Sequence, residues 1–182
     1  DIMLLNNLEL NGAVRYADYS TSGGVTTWKV GLNYSPIEGI RFRTTQSRDI
    51  RAPNNNELFS SLVQNLPTLT DRVTNTTISV ATFTGGNPLL EPEKGDTFTA
   101  GVIFSPSFLS GLRGSIDYFS IDLNGAITTL GPQGTIDACY NGQSAACAGV
   151  IRDPGTNAIR TVYSQYFNLQ TLRTSGYDFE LS

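Results

Sequence analysis

The sequence predicts an all-β fold of antiparallel up-and-down strands, about six of them, of the kind that forms a fragment of a transmembrane β-barrel with two long extracellular loops. Three observations carry this. Thr, Ser and Asn supply 21, 16 and 14 of the 182 residues beside 18 Gly, a vocabulary of strands and turns. Apolar and polar residues alternate with period two in six segments. The connections between those segments are short at one end and can be long at the other.

The first segment sets Leu8, Leu10, Val14 and Tyr16 against Glu9, Asn11 and Arg15. The second sets Trp28, Val30, Leu32 and Tyr34 against Lys29, Gly31 and Asn33, and the third Ile40, Phe42 and Thr44 against Arg41, Arg43 and Thr45. In the fourth, "DTFTAGVIF", Phe98, Ala100, Val102 and Phe104 share a face, with Ile103 breaking the rule. The fifth, "LRGSIDYFSIDL", opposes Ile116 and Tyr118 to Ser115 and Asp117, but Phe119 and Ile121 blur the phase and leave its facing open. The sixth opposes Tyr177, Phe179 and Leu181 to Gly176, Asp178 and Glu180.

Antiparallel order sends successive connections to opposite ends. "SPIEG" at 35–39 and "PSFLSG" at 106–111 are tight turns at one end. At the other fall "STSGG" at 20–24 and two long stretches without strand signals, Arg51 to Pro92 and Gly125 to Val162. Median connections in compact domains run to about 4 to 6 residues, so this parity favours a barrel. Tyr16, Tyr19, Trp28 and Tyr34, near strand ends, suit interfacial girdles. A soluble antiparallel domain with one solvated face gives the same alternation and stays open as a reading.

Composition removes several classes of function. Histidine is absent, and with it the commonest general base and transition-metal ligand. No metal site, catalytic residue or cofactor is expected. Cys139 and Cys147 do not form a CxxC pair. Twelve Lys and Arg against 16 Asp and Glu disfavour nucleic acid as a partner. The longest apolar runs, such as "IMLL" at 2–5, fall far short of the roughly 18 residues of a membrane-spanning helix. The opening residues lack the basic and apolar regions of a secretory signal, and both ends read as cut from a longer chain.

At "RFRTTQSRDIRAPNNNELF" and "GGNPLLEPEKGDTFTAGVIFSP" the sequence resembles the TonB-dependent outer-membrane receptors, in their iron-complex-receptor-like form. The matching elements are Arg51, Ala52 and Pro53; Glu57, Leu58 and Phe59; then Gly86, Asn87, Pro88, Leu90, Pro92 and Glu93. "GSIDYFSIDLNGAI", "CYNGQSAAC" and "TSGYDFELS" extend the resemblance over nearly the whole chain. It implies that residues 1–182 are part of a receptor barrel without its plug domain. Such a receptor sits in the bacterial outer membrane and imports a scarce small nutrient: a ferric siderophore, cobalamin or an oligosaccharide. Its partners are outer-membrane lipid and, through the plug, the TonB complex. A surface adhesin or carbohydrate-binding module built as a soluble β-sandwich, and a passive porin, are the rivals.

Under that resemblance Arg41 and Arg43 face a water-filled lumen while Ile40 and Phe42 face lipid. Pro53 ends strand pairing because it has no amide hydrogen. Asn54 and Glu57 fit a capping box opening one helical turn with Leu58 and Phe59 on its apolar side, and Asn87-Pro88 favours a turn. Arg48 and Arg51 have the guanidinium fork for an anionic ligand, against which stands pairing with carboxylates of the barrel wall or plug. A cell-surface loop implies a disulfide between Cys139 and Cys147. Asp117 with Asp122 and Asp178 with Glu180 are the carboxylate pairs a glycosidase would need, but acids on a polar strand face are the commoner case.

Overall fold

The computed structural model describes residues 7–21, 23–108, 111–168 and 171–182. The apolar run at 2–5, position 22 of the first turn and positions 109–110 of the "PSFLSG" turn lie outside them. In chain order the elements are β1 (Leu8–Tyr19), β2 (Gly23–Ile37), β3 (Ile40–Arg51), α1 (Asn55–Phe59), β4 (Val63–Asn65), β5 (Thr68–Asp71), β6 (Thr76–Ser79), β7 (Ala81–Gly85) and β8 (Glu93–Phe104). There follow β9 (Gly114–Asn124), β10 (Ile127–Thr128), α2 (Gly131–Tyr140), α3 (Ser144–Cys147), β11 (Val150–Arg152), β12 (Ile159–Gln165), β13 (Phe167–Asn168) and β14 (Thr171–Leu181).

These elements divide into two compact units. The first holds a six-stranded sheet in the order β1-β2-β3-β8-β9-β14, an open up-and-down arrangement built from the six alternating segments. Register fixes the faces. Tyr34 pairs with Leu8 and with Phe42, and Leu32 with Leu10. Across the sheet Val102 pairs with Ile116 and Ile116 with Phe179. Arg48 shares the face of Phe42 by alternation and meets Asp96, which shares the face of Phe98. All these apolar residues therefore stand on one side. Leu10, Val14, Tyr16, Phe179 and Leu181 are 69–80% exposed there.

The fifth segment's facing is now settled. Ile116 and Tyr118 lie on the apolar side and Asp117, Phe119 and Ile121 on the other, where the Phe119 ring lies over Gly176 of the neighbouring strand. The sixth strand begins earlier than its alternation marks, at Thr171.

The second unit comprises Ala52–Glu93 and Gly125–Gln170, the two long connections. Sequence reading gave them no strands, only a helical turn after Asn54 and a turn at Asn87-Pro88, and ended the second at Val162; the absence of strands and that boundary are corrected. The connections carry a four-stranded sheet, β11-β12-β7-β4, with β12 parallel to β7, and the hairpin β5-β6. Leu69, Val80, Ile136, Ile159 and Val162 form their core. Among the described residues every buried Ala, Val, Leu or Ile belongs to this unit. The six-stranded sheet has none.

Candidate functional site: the two motif segments, the polar sheet face and the paired loops

Strand β3 stops at Arg51, two residues before Pro53. Asn54 Oδ1 then accepts hydrogen bonds from the amides of Asn56 and Glu57, both at 2.9 Å, while Glu57 Oε2 accepts from Asn54 N at 2.8 Å. This capping box satisfies the first amides of α1. Leu58 is 2% exposed and Phe59 59%, so the helix does not present both on one apolar side. Neighbours i and i+1 do not share a helix face.

The second motif segment docks on this turn. Asn87 N donates to Glu57 O at 2.8 Å and Gly86 N to Ser60 O at 3.0 Å. A Cβ at Gly86 would stand 2.6 Å from Leu58 O, so glycine alone permits the approach. Asn87 Oδ1 accepts from Leu89 N at 3.0 Å, closing the turn over Pro88. Pro53, Leu58, Gly86, Leu90 and Glu93 are all buried, with Ala52 and Pro92 half-buried. The motif is thus an internal clasp.

Residues that sequence reading did not single out complete it. Asn168 accepts from Glu91 N and donates to the carbonyls of Glu91 and Gly125. Gln165 donates to Gly86 O, and Asn87 Nδ2 to Tyr166 O at 2.9 Å. Glu93 Oε1 accepts from Ile127 N at 2.6 Å. Their partners lie tens of residues away, so no local pattern announces them.

Between the two connections Asp71 forms a buried link. Its carboxylate is 1% exposed and accepts from Arg152 Nη1 at 2.7 Å and Nη2 at 2.8 Å, from Val73 N and from the Thr74 hydroxyl. The Arg152 guanidinium holds that carboxyl far below the ordinary aspartate range, against the opposing effect of burial. Gln133 on α2 reads both backbone groups of Thr70, and Arg72 pairs with Asp137 one turn further on, lowering the pKa of Asp137. Cys139 and Cys147 are disulfide-bonded, joining α2 to α3. Phe83 and Tyr163 stack at 5.1 Å on the paired strands β7 and β12.

On the polar face of the six-stranded sheet, Arg43 binds Asp117 with Nε at 2.8 Å and Nη2 at 2.6 Å. The pair reaches across β8 at Gly101, where a Cβ would overlap the Asp117 carboxylate. On the opposite face Arg48 binds Asp96 through Nε at 2.7 Å and Nη2 at 2.9 Å, and Arg173 binds Asp122 at 2.8 Å. Asp117 and Asp122 thus point to opposite faces, each with its own arginine. Arg51 has the parity of Arg43. Among the described residues no three His, Cys, Asp or Glu side chains converge as a metal site would require.

The model of the TonB dependent receptor-like β-barrel family matches residues 1–182. The chain belongs to that family. No curated protein matches it. Among solved structures, this chain is similar to the siderophore receptor PirA of Acinetobacter baumannii, with 15% identity and a TM-score of 0.71, covering 97% of this chain and 23% of that one. A variant of the ferric enterobactin receptor PfeA of Pseudomonas aeruginosa is similar at 17% identity and a TM-score of 0.72, with coverages of 98% and 22%. A double mutant of the Serratia marcescens hemophore receptor HasR, in complex with its hemophore HasA and heme, gives 15% identity and a TM-score of 0.53, with coverages of 96% and 26%. This chain spans about a quarter of the length of these receptors.

Proposed function

We propose that this chain is the strand-and-loop portion of an outer-membrane receptor that binds a scarce nutrient outside the cell and imports it with energy relayed through TonB. The observation that carries the reading is the contrast between the units. The six-stranded sheet has an apolar face without a buried aliphatic side chain, as a wall in contact with acyl chains requires. The loop unit has a water-soluble protein's core.

In this reading the apolar face meets lipid and the face of Arg43 and Asp117 lines the lumen. Arg51, on the lumenal parity, is the better placed of the two candidate arginines for an anionic nutrient, while Arg48 serves the wall through Asp96. The Pro53–Phe59 and Gly86–Glu93 segments are architectural. Siderophore receptors among the structural relatives favour a ferric siderophore as the nutrient.

The test uses the full-length receptor. Binding is measured against a panel of ferric siderophores, cobalamin and oligosaccharides, and uptake in energised and de-energised cells. Saturable binding of one class with uptake that stops on de-energising supports the proposal; uptake indifferent to energy would mark a passive porin instead.

A further inference from the structure

The apolar face of the six-stranded sheet changes character toward the ends that lead into the long connections. Its lower rows are Phe104, Val102, Ile116, Phe179 and Leu181, followed by Tyr118 beside Tyr177, whose rings lie 5.2 Å apart. Four residues further along β9, Asp122 stands on this same face, paired in register with Asp96 on one side and Arg173 on the other. Arg48, in register with Trp28, reaches Asp96 from β3. The result is one row across five strands: Trp28, Arg48, Asp96, Asp122, Arg173. Lys94 follows two residues beyond Asp96 on the same parity.

Such a row does not suit hydrocarbon, where charge on the lipid face is penalised most at mid-bilayer and little near the interface. From Phe104 to Asp96 the strand rises about 26 Å at roughly 3.3 Å per residue. A tilt of about 40° shortens this to about 20 Å, close to the height of an apolar band of about 25 Å. Both signs of charge occur in the row, as they do among lipid phosphates and amines. Tyr118 and Tyr177 below it are the amphipathic rings that settle at an interface.

We propose that Arg48, Asp96, Asp122 and Arg173 form a docking row for the polar headgroup layer of the bilayer, with Tyr118 and Tyr177 as its anchor on the hydrocarbon side. The proposal rests on the lipid-facing reading of this face given above. It sets the membrane boundary along β8, β9 and β14 at Asp96, Asp122 and Arg173.

The full-length receptor, reconstituted in phosphatidylcholine vesicles, tests this with a bimane fluorophore on single cysteines at Ile116→Cys, Phe179→Cys, Asp122→Cys and Arg173→Cys. Lys94→Cys reads the same side of the boundary with both ion pairs intact. Quenching by mid-chain brominated lipid is compared with quenching by a nitroxide on the headgroup. Labels at 116 and 179 are expected to respond at least twofold more to bromine, and labels at 94, 122 and 173 at least twofold more to the nitroxide. Bromine quenching at 122 and 173 equal to that at 116 overturns the docking row, as does indifference of all three upper labels to both quenchers. If 116 and 179 escape bromine as well, the lipid-facing reading fails with it.

Discussion

Asp71 shows how a single side chain can decide whether a loop is a loop. Buried and fully hydrogen-bonded, it joins a hairpin of the first long connection to Arg152 of the second. Breaking a buried pair by removing one partner typically costs about 3 to 5 kcal/mol. Asp71→Asn should therefore cut hydrogen-exchange protection of residues 68–79 and 150–152 by two orders of magnitude or more, leaving the strands of the six-stranded sheet unchanged. Acid should act similarly. The folded-state pKa of Asp71 lies below its unfolded value, so the stabilisation is fully present above pH ~4, the ordinary aspartate value, and drains away as pH falls below it. Asp137 and Asp153 are shifted the same way, by Arg72 and by the amides of Thr156 and Gly155 respectively. Proteolysis of the loop unit by an acid-active protease should accelerate as pH is lowered from 5 to 3. At Gly101 the constraint is space: Gly101→Val forces the Arg43–Asp117 pair apart, an overpacking typically worth about 1 to 3 kcal/mol. It should lower the temperature at which the full-length barrel loses its heat-modifiable gel mobility.

At the scale of elements, α2 and α3 depend on their disulfide. Closing a loop with a sequence separation of 8 residues should contribute about 2.5 kcal/mol in the chain-entropy model. Replacing both cysteines, Cys139→Ser with Cys147→Ser, should lower the protection of residues 131–147 by 10- to 100-fold in hydrogen exchange. The six long strands were legible because each alternates apolar and polar residues over about ten positions, with most of the apolar residues on one side of the sheet. Phe179 declares its face in the sequence alone, whereas Phe119 and Ile121 hide that of Tyr118 until the register with β8 and β14 fixes it. Strands β4 to β7 and β10 to β13 were not legible, being two to seven residues long and half-buried in a small core. Val162 pairs in parallel with Thr82, 80 positions earlier, and nothing local encodes such a partner. The capping box of Asn54 and Glu57 was legible since its spacing is local. Asn168, which secures the same clasp, was not, because all of its side-chain bonds run to residues 43 or 77 positions away.

The whole chain combines two patterns of burial in one sequence. A single sheet without a buried aliphatic residue cannot shield its apolar face from water, and its outer strands β1 and β14 leave open edges. Residues 1–182 expressed without detergent should therefore aggregate, and a soluble, cooperatively folding monomer would contradict the lipid-facing reading. The loop unit follows the opposite rule, and its core cannot be assigned to either connection alone. Leu69 and Val80 come from the first, Ile136, Ile159 and Val162 from the second. Strand β12 of the second has β7 of the first as a neighbour on one side and only the three-residue β11 on the other. Replacing residues 54–91 by a short turn in the full-length receptor should thus spare β3 and β8, which keep their neighbours β2 and β9. Residues 125–170 should lose their fold, although none of them has been changed. Limited proteolysis should then cleave that segment at least 10-fold faster, while the barrel keeps its heat-modifiable mobility. If 125–170 stayed resistant, the two connections would be independent loops, and the shared core would contribute nothing to their stability.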